Sequence, residues 1–222
     1  MSAVKLFEHK EHDARHQCLI YDGAPSQQLP ALAAMIYRKL KEGYRCLYLN
    51  SRPMVAGIQS CLAALGVDVA TETTKGSLIL TSETALSEDG VFDIDLMLRK
   101  LENALDQALV AGYEGLWATG DMSWEFGPEK NFEKLMEYER RLEELFRKRR
   151  ELGGICQYHR DTLPREAARQ GLLTHRAIFI NQTLTRINPH YAPTAQPIEH
   201  PLENPALDEA MAALCGLQNE KI

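Results

Sequence analysis

The sequence predicts an α/β protein in which helices cover both faces of a mostly parallel central sheet. Short apolar runs alternate along the chain with longer segments whose apolar residues recur at helical spacing. This alternation is typical of βαβ units, which place successive strands in parallel. With 222 residues, 45% of them hydrophobic, the chain is long enough for one three-layer core.

The predicted strands are apolar runs bounded by turn residues. They cover residues 16–21, 45–49, 78–80, 115–121, 155–158 and 177–180. The predicted helices carry apolar stripes, and glycines end several of them, while Asp93 is suited to cap the third. They cover residues 29–42, 53–65, 94–111, 131–152, 164–170 and 205–217, and Gly153-Gly154 forms the predicted turn before the fifth strand.

Prolines recur at every fourth position from Pro189 to Pro205. Because proline cannot donate a hydrogen bond to a sheet, this segment is expected to wrap the surface or a partner. The sequence therefore predicts an α/β domain over residues 9–187, followed by a proline-rich tail with a terminal helix over residues 188–222.

Composition excludes several classes of protein. The net charge of −6 disfavours direct nucleic-acid binding, which needs clustered cations. The chain has neither an apolar run of about 18 residues nor a basic, then apolar, N-terminus, so we expect a cytoplasmic protein without membrane contact. The five cysteines are widely spaced and form no C-x-x-C pair, which indicates reduced thiols. No metal and no cofactor are expected.

The segment after the first predicted strand stands where a nucleotide-binding α/β protein carries its phosphate loop. Counted from Gly23, the pattern G-x-x-x-x-G-K-[ST] would need its second glycine at Gln28, its lysine at Leu29 and its hydroxyl at Pro30. Leucine cannot neutralise a phosphate, and proline offers neither a hydroxyl nor an amide N–H. This degenerate phosphate loop favours a sensory or regulatory role over catalysis.

Polar and aromatic residues follow the first, fourth and fifth predicted strands. Ligands of open α/β sheets bind at the carboxyl ends of strands, so these residues are expected to line one crevice. The loop after the fourth strand adds an aromatic ring and a carboxylate. The predicted ligand-binding residues are Tyr21, Asp121, Trp124, Glu125, Tyr158 and His159.

Structural interpretations of the same residues stay open. Asp121 would equally cap the turn over residues 120–124, and Trp124 would equally pack under the following helix. Cys156 would act as a nucleophile only with His159 or His175 as its base. No catalytic residue is predicted.

Several short motifs, taken in their order, resemble the MEDS family of sensory domains of the methanogen/methylotroph DcmR type. They occupy residues 16–21, 90–93, 120–124, 138–139 and 156–158, together with His175. The resemblance implies a RecA/KaiC-like fold without a working phosphate loop. It also implies a role in signalling or transcription regulation and the sensing of small organic compounds such as hydrocarbon derivatives.

The predicted function is that of a non-catalytic sensory protein. It would bind a small organic molecule in the degenerate nucleotide pocket and signal through a protein partner or by self-association, because few residues flank the domain. The alternative is an interaction module, comparable to an inactive ATPase subunit, that binds no ligand and acts as a homo-oligomer. A hydrolase using Cys156, or a water held by Asp121 and Glu125, is a third hypothesis.

Overall fold

A computed structural model describes residues 15–82, 92–123, 131–181, 183–192 and 205–219. Within them, seven strands form one sheet in the order β3-β2-β4-β5-β1-β6-β7, and every pairing is parallel except β6 with β7. The strands are β1 (His16–Tyr21), β2 (Arg45–Asn50), β3 (Leu78–Ser82), β4 (Leu116–Asp121), β5 (Leu152–His159), β6 (Ala177–Asn181) and β7 (Leu184–Ile187).

The helices lie in two layers, one on each face of the sheet. On one face, α1 and α2 bury their apolar stripes together with the side chains of β1 and β2 that point the same way. On the other face, α4 to α7 bury a second apolar cluster. The helices are α1 (Leu29–Lys41), α2 (Arg52–Ala64), α3 (Val69–Thr74), α4 (Ile94–Val110), α5 (Phe132–Lys148), α6 (Arg165–Thr174) and α7 (Pro205–Asn219), and a 3₁₀ turn (Pro25–Gln28) precedes α1.

These elements confirm the predicted α/β class with a mostly parallel sheet. The capping role of Asp93 is also confirmed, since its side chain accepts the Leu96 N–H at the start of α4 at 2.9 Å. Two short elements, α3 and β7, were not predicted. The threonine-rich α3 lacks an apolar stripe, and β7 is exposed along its whole length.

The prediction of a turn at Gly153-Gly154 is wrong, because both glycines lie inside β5. A Cβ atom at Gly154 would stand 2.1 Å from the Ala118 carbonyl oxygen of the neighbouring strand. Glycine is therefore required here by the close approach of two strands rather than by a turn. The preceding helix ends correspondingly earlier, at Lys148.

The terminal helix α7 belongs to the core. Its Leu207, Met211 and Leu214 are buried in the cluster that α4, α5 and α6 share. The proline-rich residues 193–204 lie outside the described part of the chain, so the predicted course of the tail stays a prediction. Among the described helices, none has the length and apolar character needed to cross a membrane.

Candidate functional site

The three strands that were expected to meet are neighbours in the sheet, in the order β4-β5-β1. Their register places Asp121 beside Gln157, and Tyr21 beside His159. The carboxyl ends of these strands therefore form one edge, which is where α/β sheets bind ligands.

A group of buried polar side chains shares the α1 face of the sheet at this edge. We call them the carboxyl-edge cluster; they are Tyr21, Tyr48, Asn50, Asp121 and Gln157. Within the described residues, four of their atoms have no partner at hydrogen-bond geometry: the two phenol oxygens, Asn50 Nδ2 and Gln157 Oε1. Buried polar atoms are nearly always paired, so this group is exceptional.

Asp121 is the acidic member of the carboxyl-edge cluster. Burial raises the pKa of its carboxyl, against the opposing effects of the Ser123 amide and His159. Burial also raises the pKa of Tyr21 and of Tyr48, and the Asp121 charge raises both further, whereas the neighbouring Asn50 side chain acts to lower the pKa of Tyr48. The expected turn cap is confirmed, since Asp121 Oδ1 accepts the Ser123 N–H at 2.7 Å.

The Gly23 turn follows β1 at this edge. Gly23 has a φ of +74°, a conformation that favours glycine. Its N–H donates to Asp161 Oδ2 at 3.0 Å, and its carbonyl accepts from His159 Nε2 at 2.8 Å. The His159 ring stacks on Tyr21 with centroids 5.0 Å apart. The turn is thus bonded through its backbone to the end of β5 and the residues after it.

The remaining positions of the predicted degenerate phosphate loop lie at the start of α1. Leu29 is the first residue of α1, and its side chain is buried against Gly57 of α2, where an added Cβ would meet Leu29 Cδ1 at 2.5 Å. Gln28 is buried, whereas Pro30 is exposed. The side chain at the expected lysine position therefore packs between two helices.

The structure separates Tyr158 from the predicted crevice. Successive residues of a strand face opposite sides of a sheet, so Gln157 and His159 point to one face and Tyr158 to the other. There Tyr158 is fully buried and packs edge-on against His175. Trp124 and Glu125, also predicted to bind ligand, lie outside the described residues.

A second buried polar group occupies the α5 face of the sheet. We call it the histidine–cysteine cluster, and it consists of His16, Glu139, Cys156 and His175. Each offers one ligand atom, and these atoms all lie within 4.8 Å of one another. Of the two bases considered for Cys156, His175 lies in this cluster, whereas His159 faces the opposite side.

The pKa values of two acidic side chains in this region are shifted in opposite directions. Burial raises the pKa of Glu139 to about 8, and the nearby Tyr158 hydroxyl opposes the shift. For Glu143, burial acts in the same direction, but the hydrogen bonds from His16 and Tyr191, together with nearby positive charge, outweigh it and lower the pKa. His16 Nδ1 lies 2.7 Å from Glu143 Oε2, and Tyr191 donates its hydroxyl to the other carboxylate oxygen.

A cleft of about 400 Å³ opens at the opposite edge of the sheet, where the strands begin. Three of its basic side chains are engaged by the protein itself: Arg38 and Lys39 both pair with Glu42, and Arg15 donates to the Arg149 carbonyl. Paired and partly exposed cations of this kind carry little specificity. The two buried clusters are therefore the stronger candidates.

Comparison with protein families gives one match over most of the chain. The model of the MEDS domain, described as the methanogen/methylotroph, DcmR sensory domain, matches residues 15–176. The chain belongs to the MEDS family. The matched segment runs from β1 to the end of α6 and contains every member of both clusters. MEDS is a family of sensory domains, and no curated protein matches the chain.

Sequence reasoning missed Tyr48, Asn50 and Gln157. Asn50 ends β2 at the same edge as Asp121, so the rule that found Asp121 would also have found it. Tyr48 and Gln157 lie inside strands, where only the observed register shows that they face the site.

Proposed function

We propose that this MEDS protein is a non-catalytic sensor that binds a small polar organic molecule at the carboxyl-edge cluster and signals through a protein partner. Membership of a sensory family supports the general role. The site is proposed from the chemistry of the cluster, beside the segment that the sequence predicts to be a degenerate phosphate loop.

The observation that carries the proposal is a group of four buried polar atoms, on Tyr21, Tyr48, Asn50 and Gln157, that have no partner at hydrogen-bond geometry among the described residues. Leaving a buried donor or acceptor unsatisfied costs about 1–3 kcal/mol. A ligand that supplies the missing hydrogen bonds would recover this free energy on binding.

The donors and acceptors define the class of ligand. The Asn50 amide donates, the Gln157 carbonyl accepts, and the phenols can do either. None of these side chains is cationic, and Asp121 adds an acidic group. Neutral or cationic molecules with hydroxyl, amide or amine groups therefore suit the cluster better than anions do.

A nucleoside triphosphate fits poorly at the same place. In a working phosphate loop, backbone N–H groups and a lysine bind the phosphates. Here the Gly23 N–H is bonded to the Asp161 carboxylate, and Leu29 is packed against α2. A phosphate would have to displace one anion while lacking the usual cation.

The Gly23 turn supplies a route from binding to signal. A ligand bonded to the Tyr21 hydroxyl would act on the ring that stacks with His159, and His159 holds the Gly23 carbonyl. A ligand shifts such a loop only if it binds one arrangement better than the other. We propose that the partner recognises the loop arrangement that the ligand favours.

Thermal unfolding of the full chain tests the proposal. We expect small diols, amino alcohols and amides to include compounds that raise the midpoint, and magnesium-ATP to leave it unchanged. Tyr48→Phe and Asp121→Asn should reduce the ligand-induced shift, whereas Tyr37→Phe, which alters a phenol outside the cluster, should retain it. A shift that survives in Tyr48→Phe and Asp121→Asn would place the ligand elsewhere.

The alternative, a module that acts by oligomerisation without ligand, is favoured by one observation. The edge strand β7 exposes Leu184 and Ile187, and an exposed edge is able to pair with another strand. Light scattering after size-exclusion chromatography distinguishes the two functions. A stable oligomer that Ile187→Lys dissociates, together with no response to any small molecule, would favour the module.

A further inference from the structure

We propose that the histidine–cysteine cluster binds one divalent transition-metal ion of the zinc class. The proposed ligands are His16, Glu139, Cys156 and His175. This site lies on the opposite face of the sheet from the carboxyl-edge cluster, and it goes beyond the sensory function proposed above.

The first argument is convergence. The four ligands come from β1, α5, β5 and the end of α6, and all are buried, with Glu139 only 1% and His175 0% exposed. Four potential ligand atoms within 4.8 Å of one another approach the spacing around a four-coordinate ion. The four residues are far apart in the sequence, and only the fold brings them together.

The second argument is the orientation of the two imidazoles. His175 Nδ1 lies 2.7 Å from the Gly171 carbonyl oxygen, which can only accept, so Nδ1 carries the proton and Nε2 presents a lone pair. His16 Nδ1 faces the Glu143 carboxylate, which leaves its Nε2 lone pair directed toward Cys156 Sγ, 3.5 Å away. Metal-binding histidines typically donate their second N–H to a carboxylate or a carbonyl in this way.

The third argument is that several atoms facing into the cluster lack hydrogen-bond partners among the described residues. Within the described residues, neither carboxylate oxygen of Glu139 has a partner at hydrogen-bond geometry, and neither has His175 Nε2, although Glu139 Oε2 lies 3.6 Å from that nitrogen. With Glu139 ionised, as a metal ligand would be, its carboxylate and the His175 lone pair are two acceptors that cannot bond to each other. A cation between them would satisfy both.

The donor set indicates the class of metal. Two imidazole nitrogens, a thiolate and a carboxylate oxygen suit zinc and similar borderline ions, whereas calcium and magnesium prefer oxygen alone. The charges also balance, because a thiolate at Cys156 and a carboxylate at Glu139 neutralise a dication. A neutral assembly is the kind that a buried site tolerates.

Cobalt substitution in the full chain tests the site. We expect about one zinc per chain after loading and removal of weakly bound metal. Cobalt should give the visible absorption of a four-coordinate ion and a near-ultraviolet thiolate-to-cobalt band. Cys156→Ser should abolish that band. Cys46→Ser, which alters another buried thiol on the opposite face, should retain it.

The wild-type spectrum decides the outcome even if Cys156→Ser fails to fold. Absence of retained metal and of the thiolate-to-cobalt band in the folded wild type would overturn the proposal. So would a band that persists unchanged in a folded Cys156→Ser protein.

Glu143 is a positioning residue in this proposal, because it orients His16 without touching the ion. Glu143→Gln should weaken metal affinity about 10- to 100-fold and preserve the thiolate-to-cobalt band, since Cys156 remains. Unchanged affinity would remove Glu143 from the site. Loss of the band would contradict its indirect role.

Discussion

The two faces of the central sheet carry buried polar groups of opposite character. The carboxyl-edge cluster is built from phenols and amides around a single acid, at the ends of strands and beneath a glycine turn. The histidine–cysteine cluster is built from imidazoles, a thiol and a carboxylate. Neutral donors and acceptors match an organic molecule, whereas converging lone pairs match a cation. One sheet thus presents two kinds of recognition on its two sides.

A large stability effect is expected at Gly171, where α6 packs against Tyr158 on the α5 face of the sheet. An added Cβ at Gly171 would stand 2.6 Å from the Tyr158 ring. Overpacking of this kind costs about 1–3 kcal/mol, so Gly171→Ala should lower the free energy of unfolding by that amount in urea titrations. It should also weaken cobalt binding, because Gly171 orients His175.

Gly216→Ala is the matched control, because an added Cβ there meets nothing within 4 Å. Alanine should be neutral or slightly stabilising in the α7 helix. Equal stability losses in the two variants would contradict the packing argument.

Two tyrosines should respond in opposite directions to the loss of their hydroxyl. Tyr191 donates to the charged Glu143, and such a bond contributes about 1.5–3 kcal/mol, so Tyr191→Phe should lower the free energy of unfolding accordingly. Among the residues that the structure describes, the buried Tyr48 hydroxyl has no partner at hydrogen-bond geometry. Tyr48→Phe should therefore leave the ligand-free protein equally or more stable, by up to about 1 kcal/mol. A clear loss of stability in ligand-free Tyr48→Phe would show that the hydroxyl is satisfied.

Substitution at the Gly23 turn should have a smaller effect on stability, and of the two proposed sites it should disturb only the one on its own face of the sheet. Alanine at a left-handed position costs roughly 1–2 kcal/mol, so Gly23→Ala should destabilise the chain by about that amount. It should also reduce the ligand-induced thermal shift and spare cobalt binding. Gly112→Ala carries the same backbone strain, at a φ of +84°, outside both clusters. A ligand response lost equally in both variants would contradict the role of the Gly23 turn.

The smallest expected effect is the pH dependence that Asp121 gives to the free energy of unfolding. Burial raises the pKa of Asp121 in the folded protein above its value in the unfolded chain. Its contribution to the free energy of unfolding is therefore fully present at pH values below the unfolded pKa. That stability is lost as the pH rises through the folded pKa. Asp121→Asn should remove this loss from a series of urea titrations across pH.

The exposed Asp68 provides a control of opposite sign. The Thr71 hydrogen bonds lower its pKa, so its contribution is present at higher pH and is lost as the pH falls. Asp68→Asn should therefore change the acid side of the stability profile. Identical profiles for Asp121→Asn and wild type would contradict the pKa direction given for Asp121.

Sequence periodicity predicted the regular elements better than it predicted the sites. Strand β1 and the Asp93 cap follow from local patterns of apolar and capping residues. The twin glycines of β5 were misread because their cause is a contact with Ala118, far away in the chain. Local patterns contain no information about such contacts.

The same reason explains what was missed in the clusters. Asp121 was found because it ends a strand, and strand ends share an edge. His16 was noted as a motif residue, and His175 as a motif residue and as a base for Cys156, but not as a pair, since their meeting depends on how β1 and α6 pack. Tyr158 was assigned to the crevice because its strand ends there, although strand alternation turns its side chain to the other face.

Native mass spectrometry of the full chain purified from its own cells tests the central claim most directly. The account predicts a small organic molecule retained by the wild type and lost from the Tyr21→Phe/Tyr48→Phe double variant. A bound nucleoside triphosphate, or a small molecule retained equally by both proteins, would contradict it.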